Sequence, residues 1–210
     1  MRGEAAPKQT GNAPDSSDFE LIQGIAEGSE ESFRLLFRRW APRLGRFLSR
    51  STGCRETAED LLQETFLRVL RAAPRFEPRG SVGAWLYRIG TNLVYSYWRR
   101  ELASPFLCSR AGDVPTISPV PPPSNPDAIW VHRAFEREAV EALRRIPQNQ
   151  RLVFLLKVDQ GLTYEEIAGV LQCPIGTVKS RFHFAVRRLQ GELRDWREGA
   201  LAEEGGSNVL

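Results

Sequence analysis

A short stretch near the carboxyl end of the sequence combines a helix start, a tight turn and a basic helix. Thr163-Tyr-Glu-Glu166 is a capping box, in which the Thr hydroxyl and the Glu carboxylate satisfy free backbone N–H groups at a helix start. The short helix that it opens is predicted to end at Leu171. After Gln172-Cys-Pro174, a longer basic helix is predicted from Ile175. This order is that of a helix-turn-helix, whose second helix lies in the major groove of DNA.

The predicted outer face of this second helix carries cations and hydrogen-bonding groups that suit DNA. Gly176 would let the backbone approach a phosphate at the positive end of the helix dipole. The simpler alternative is an αα-hairpin with a solvated basic face. DNA binding is favoured because the cap, the turn and the basic face coincide. The side chains predicted to face outward are Thr177, Lys179, Ser180, Arg181, His183, Arg187 and Arg188.

A second stretch, residues 85–100, places aromatic side chains among arginines and an asparagine. Aromatic rings stack on unpaired bases while cations hold the backbone, so this mixture suits single-stranded nucleic acid. Aromatic residues at helical spacing are also typical of a core, and Trp85 and Trp98 fit the apolar stripe of the predicted helix. The residues that remain as functional candidates are Tyr87, Arg88, Asn92 and Tyr95.

The elements that must position these groups are helices, grouped in two domains. Apolar residues recur at three- and four-residue steps, and Ser29 is a plausible cap for one of the helices. Further helices are predicted at about 57–73, 84–102, 130–146 and 175–196. The sequence therefore predicts an all-α protein of two helical domains, 18–102 and 130–197, joined by a linker over 103–129 that holds seven of the 14 prolines. Residues 1–17 are predicted to be a disordered tail and residues 198–210 an acidic tail.

Composition excludes several classes of function. The 210 residues include 41% hydrophobic and 26% charged residues, enough for packed cores, and no apolar run approaches a membrane span. The three cysteines and two histidines lie far apart, so neither a metal site nor a disulfide framework is expected. The start has no apolar signal core, which favours the cytoplasm. No nucleophile–base pair or phosphate loop supports an enzyme, and no cofactor is expected.

The positive charge is concentrated in the two predicted domains. Residues 18–102 hold 14 arginines against 11 acidic residues, and residues 131–197 hold 12 basic against 8 acidic residues. Moderate basicity of this kind attracts polyanions without identifying one.

Three stretches together resemble one family, the extracytoplasmic-function (ECF) sigma factors of bacterial RNA polymerase. They are Ala58-Glu-Asp-Leu-Leu-Gln-Glu-Thr-Phe-Leu-Arg-Val-Leu70, Ala84-Trp-Leu-Tyr-Arg-Ile-Gly-Thr-Asn92, and Leu162-Thr-Tyr-Glu-Glu-Ile-Ala168 with Pro174-Ile-Gly-Thr-Val-Lys-Ser-Arg181. The resemblance covers roughly residues 18–196. It implies that 18–102 is sigma region 2 and that 130–197 is sigma region 4.

The resemblance also implies partners and site residues. Core RNA polymerase would be bound through its β′ clamp and β flap, with Asp60, Gln63 and Glu64 docking on the clamp. An acidic-amide face in a basic domain fits a basic partner surface, although a solvated face would look the same. An anti-sigma factor is a further implied partner. The residues implied to read the minus-ten element, with Tyr87 added from the residue pattern, are Ser81, Trp85, Tyr87, Arg88, Asn92 and Ser96.

The minus-thirty-five element would be read by the helix starting at Ile175, to which the resemblance adds Phe184. Three positions depart from common family patterns. Phe184 stands where Arg is usual, Gln172 where Gly is usual, and Leu86 where primary sigma factors have the second of two aromatics. Two alternatives remain at this level: a stand-alone helix-turn-helix regulator, and a protein that binds structured RNA.

Overall fold

The structure, a computed structural model, describes residues 16–77, 80–103 and 138–205, and no β-strand occurs within those ranges. The N-terminal domain contains α1 (Ser16–Ala26), α2 (Glu30–Thr52), α3 (Arg55–Ala72), a 3₁₀ turn (Ala73–Arg75) and α4 (Val82–Ala103). The C-terminal domain contains α5 (described over 138–145), α6 (Gln148–Phe154) with a π-turn (Leu155–Asp159), α7 (Tyr164–Leu171) and α8 (Ile175–Gly205). The predicted all-α class is confirmed.

Local signals explain where the N-terminal helices begin and end. The Ser29 hydroxyl accepts the Ser32 N–H at 3.2 Å and caps α2, as predicted. The same helix continues through Pro42 and ends at Gly53, whose φ of 72° is in the left-handed region that glycine adopts without strain. The buried Asp18 carboxylate accepts from Trp40 Nε1 at 3.1 Å and pairs with Arg39, which ties α1 to α2.

The C-terminal domain contains the predicted helix-turn-helix. Thr163 and Glu166 form the capping box of α7 in both directions. The helix α8 is longer than predicted, because it continues past Trp196 to Gly205, so residues 198–205 of the predicted acidic tail are helical. Of the helix predicted at 130–146, the part before 138 lies outside the described residues, as do 1–15 and most of the proline-rich linker.

The two domains pack against each other, which the sequence did not predict. Helix α4 contacts α7, and α2 contacts the π-turn and α6. The buried apolar residues of both domains form one continuous cluster. Fully buried members of this cluster include Leu44, Phe47 and Leu86 in the first domain and Leu152, Leu156 and Ile167 in the second.

Candidate functional site

The basic face of α8 is held outward by an apolar face that is completely buried. Val178 and Ala185 have no exposed surface, and Leu189 is 7% exposed. The Phe182 ring stacks on Phe154 and meets Tyr164 edge-on, with centroids 6.3 and 5.9 Å apart, so α8 is fixed to α6 and α7. Five of the predicted DNA-facing side chains are exposed, namely Lys179, Ser180, His183, Phe184 and Arg187, while Thr177 and Arg181 are half-buried.

The middle of this face presents two neighbouring aromatic groups to solvent. The rings of His183 and Phe184 lie 5.9 Å apart at an interplanar angle of 68°, and Phe184 is 52% exposed. An exposed phenyl group contributes nothing to the core and offers an apolar contact to a partner. On DNA, the matching apolar group in the major groove is the thymine methyl.

The turn before α8 is strained at one position. Gln172 has φ 51° and ψ 46°, and its backbone N–H donates to the Ala168 carbonyl. It is the one residue other than glycine with positive φ in the described chain. The Arg181 guanidinium reaches back to the Cys173 sulfur at 3.8 Å, so this cation lies against the turn.

The start of α4 brings most of the second predicted group together. The Ser81 hydroxyl accepts the Ala84 N–H at 3.1 Å and so caps the helix. The half-buried Trp85 ring packs on Phe76 with centroids 4.6 Å apart. Arg88 and Asn92 are exposed one and two turns along α4, and Ser96 is half-buried. This face therefore offers one aromatic ring, one cation and three hydrogen-bonding groups.

Tyr87 does not belong to that exposed face. Its side chain is 2% exposed, and its ring meets Phe47 and Trp40 edge-on. Burial raises the pKa of the phenol well above its usual value, and the hydroxyl donates to Gln160 of the C-terminal domain. The ring is thus unavailable for stacking on a base in this structure. Its spacing from the buried Val94, seven residues along the helix, is the signal that places Tyr87 in the core.

The predicted docking face on α3 is accessible. Asp60 and Gln63 are exposed, and the half-buried Glu64 accepts from Arg68 at 2.8 Å. That hydrogen bond lowers the pKa of the Glu64 carboxyl, which keeps it ionised. Sequence reasoning missed Leu67, which is 46% exposed and lies on the same side of the helix as Glu64, three residues later.

A cleft of about 430 Å³ separates the start of α4 from α7. Ser81, Trp85 and Arg88 line it on the N-terminal domain, and Glu165 and Glu166 line it on the C-terminal domain. The acidic residues of this cleft were not singled out from the sequence, because only the tertiary packing brings them beside α4.

Two further properties concern the described residues alone. No helix among them is long and apolar enough to cross a membrane. Within the same ranges, His, Cys, Asp and Glu side chains form no group suited to a metal ion.

An all-helical protein with a capped helix-turn-helix, an exposed basic reading helix and a separate polar docking face belongs to the class of DNA-binding transcription proteins. Family models narrow the class: Sigma-70 region 2 matches residues 36–103, and Sigma-70 region 4 matches residues 136–189. These matches together cover more than half of the chain, which belongs to the sigma-70 family as an ECF member. The resemblance drawn from the sequence motifs is confirmed.

Individual relatives agree with the family assignment. The ECF RNA polymerase sigma-E factor of Salmonella typhimurium is 26% identical over 182 residues, which is 85% of this chain and 95% of that protein. CnrH, solved in complex with the cytosolic domain of CnrY, has a TM-score of 0.63 at 23% identity, over 85% of this chain and 98% of CnrH. The sigma factor RpoE of Bartonella quintana, solved with the anti-sigma factor NepR, has a TM-score of 0.61 at 27% identity, over 78% of this chain and 98% of RpoE.

Proposed function

We propose that this chain binds core RNA polymerase and directs it to start transcription at a specific class of promoters. The observation that carries the proposal is the presence of sigma regions 2 and 4 in one chain, each with an exposed polar face that fits its partner. Recognition is the task of a sigma factor, and the chemistry of RNA synthesis belongs to the polymerase. The site of action would be the cytoplasm, where the polymerase and its promoters are.

The α3 face is the proposed contact for the β′ clamp. Asp60 and Glu64 supply negative charge, Gln63 supplies an amide, and exposed Leu67 adds an apolar contact beside them. Complementary charge steers association, and an apolar group in the centre of a polar patch adds affinity when it is buried by the partner. The C-terminal domain would contact the β flap.

The α8 face is the proposed reader of the minus-thirty-five element. Ser180, His183 and Phe184 would face base edges, and Lys179, Arg181 and Arg187 would lie nearer phosphates. Thr177, at the amino end of the same helix, would also contact DNA. Phosphate contacts set position and affinity, while base-edge contacts provide sequence discrimination.

The start of α4 is the proposed reader of the minus-ten element. Trp85 would provide a stacking surface for an unpaired base, and Arg88 would hold the backbone. Ser81, Asn92 and Ser96 would supply hydrogen bonds. Extracting a base from the duplex costs a few kcal/mol of stacking, which these contacts must offset.

A protein inhibitor is the further proposed partner. The titles of two solved relatives place a sigma factor with an anti-sigma factor, namely RpoE with NepR and the Rhodobacter sphaeroides SigE with ChrR. An anti-sigma factor for this chain would keep it from polymerase until a signal releases it.

The deciding experiment is transcription in vitro with purified core polymerase, the full chain and a genomic DNA library, followed by mapping of start sites. Specific starts that depend on the chain support the proposal. A stand-alone helix-turn-helix regulator would instead bind its DNA sites without polymerase and would create no new start sites. An RNA-binding protein would show no association with polymerase at all.

The docking assignment is tested by the double variant Asp60→Arg with Glu64→Arg, measured by co-purification with core polymerase. The matched control is Glu59→Arg, because Glu59 pairs with Arg55 four residues earlier at 2.9 Å, much as Glu64 pairs with Arg68, but lies about a quarter turn to the side. We expect weaker binding for the double variant and little change for the control. Unchanged co-purification of the double variant would remove α3 from the docking surface.

A further inference from the structure

The two domains are joined by polar contacts spread across their whole interface. Arg50 on α2 pairs with Asp159 in the π-turn, and Arg144 donates to the Gly53 carbonyl at 2.8 Å. The Tyr87 hydroxyl donates to Gln160. Contacts also reach both ends of α4: Ser81 donates to Glu166 at 3.1 Å, and Tyr95 donates to Asn149 at 2.9 Å.

The Arg50–Asp159 pair makes this arrangement specific. The Arg50 side chain is 2% exposed and that of Asp159 is 16% exposed, so the charge of Arg50 is balanced inside the interface. Removing one partner of a buried ion pair leaves an uncompensated charge, which favours any state in which water can reach that charge. The separated arrangement of the domains is such a state.

This closed arrangement covers the proposed minus-ten reader. Helix α7 forms the opposite side of the cleft in front of Ser81, Trp85 and Arg88. Glu166 already occupies the hydrogen-bonding capacity of Ser81, and the carboxylates of Glu165 and Glu166 repel a phosphate backbone that enters the same cleft. Single-stranded DNA can therefore reach this face fully only after α7 moves away.

The other two proposed faces remain open in the same arrangement. Asp60 and Gln63 on α3 are exposed, and so are Lys179, Ser180 and His183 on α8. Promoter geometry adds a second constraint. The two elements are centred roughly 25 base pairs apart, which is about 85 Å at 3.4 Å per base pair. Readers that adjoin through a 3.1 Å hydrogen bond cannot bind both elements at once.

We propose that the closed arrangement is an autoinhibited state of the free sigma factor, latched by Arg50–Asp159 and Tyr87–Gln160. It rests on the proposed function for the role of the α4 face. Polymerase docks on the open α3 face while the latch is still closed, and release of the latch uncovers the minus-ten reader. The free chain consequently binds single-stranded DNA poorly until its domains separate.

The test uses the full chain and the variant Asp159→Arg, which places a second cation against Arg50. The matched control is Glu192→Arg, because Glu192 pairs with Arg145 at 2.8 Å within the C-terminal domain and the charge change is the same. We expect Asp159→Arg to increase the radius of gyration in small-angle scattering and to speed amide hydrogen exchange over residues 80–88. Adding Arg50→Asp to Asp159→Arg should restore the wild-type values. Unchanged scattering and exchange in a folded Asp159→Arg variant would overturn the latch.

Covering of the reader is tested separately with a fluorescent single-stranded DNA 20-mer of random sequence. If the open form is a minor fraction of the free chain, the apparent affinity is reduced by that fraction, so opening should tighten binding about tenfold in Asp159→Arg. The gain should be absent in Glu192→Arg and lost when Arg88→Ala is added to Asp159→Arg. Expansion without tighter binding would overturn the covering role.

Folding of each variant is checked by circular dichroism. If Asp159→Arg loses helix, the uncharged variant Gln160→Ala replaces it, with a smaller expansion expected and the same two outcomes decisive. Neither measurement involves polymerase, so a failure of the latch is distinct from a failure of the proposed function, which is judged by start sites in transcription.

Discussion

The Ser81 hydroxyl lies 3.1 Å from the Glu166 carboxylate, although the two residues are 85 positions apart in the chain. Ser81 caps α4, and Glu166 belongs to the capping box of α7 through its other carboxylate oxygen. The amino ends of two helices from different domains therefore meet through their capping groups. A carboxylate at this point interacts favourably with the positive ends of both helix dipoles, which explains why an acidic residue is accommodated beside a basic reading face.

Replacing Gln172 with glycine is expected to stabilise the C-terminal domain. The left-handed conformation of Gln172, φ 51°, costs a residue with a Cβ roughly 1–2 kcal/mol that glycine avoids. Part of this gain is lost because glycine is more flexible in the unfolded chain, so a net gain of about 1 kcal/mol is expected. The measurement is the unfolding midpoint in denaturant. Gln190→Gly, an exposed position inside α8, is the control and should destabilise by about 0.5–1 kcal/mol.

Replacing Gly83 with alanine is expected to destabilise the N-terminal domain. A Cβ at this position would lie 2.4 Å from Cη2 of Trp40, and Trp40 is held in place by its hydrogen bond to Asp18. Such overpacking costs about 1–3 kcal/mol. Gly176→Ala is the matched control, because nothing lies within 4 Å of its added Cβ near the start of α8. A free energy of unfolding that is equal for both variants would mean that Trp40 can move aside.

Local signals in the sequence were sufficient for the helices and their caps. The Ser29 cap, the Thr163 capping box and the left-handed Gln172 all depend on residues within a few positions of each other, and the structure contains each of them. The domain interface could not be found in this way. The Arg50–Asp159 pair joins residues 109 positions apart, and neither residue has an unusual local pattern.

The burial of Tyr87 shows where periodicity alone is ambiguous. The buried face of α4 is broad and includes Val82, Leu86, Tyr87 and Val94. A stripe drawn through Trp85 and Leu86 leaves Tyr87 at its edge, where an aromatic ring can serve either a core or a binding face. The ring is buried because Phe47 and Trp40 of α2 meet it edge-on, and α2 is distant in sequence.

Burial of the Tyr87 phenol is expected to make stability fall in alkali. The pKa of Tyr87 is raised in the folded chain, so its contribution is fully present below the unfolded pKa of about 10 and is lost as the pH rises above it. The check is the free energy of unfolding of the wild type and of Tyr87→Phe between pH 8 and 11. The variant should be less stable at pH 8, because it lacks the bond to Gln160, and should lose less stability by pH 11. Parallel curves would contradict this assignment.

Replacing Phe184 with arginine is expected to change which minus-thirty-five sequences are selected. Phe184 is 52% exposed, so the substitution should leave the fold intact. A phenyl group cannot donate a hydrogen bond and can contact a thymine methyl, whereas an arginine side chain donates two hydrogen bonds to guanine. We expect the preferred base at one position to move from thymine toward guanine, by about 1–3 kcal/mol of discrimination at that position alone.

The measurement is binding-site selection from a randomised minus-thirty-five element with polymerase and either form of the chain. Arg187→Ala is the comparison, because a phosphate contact carries no sequence information. That variant should weaken all sites alike and lower the salt dependence by about one unit. The two variants thus separate discrimination from affinity on one helix face. Identical selected motifs for wild type and Phe184→Arg would remove Phe184 from the reading face, and would leave Ser180 and His183 as the base-reading candidates on α8.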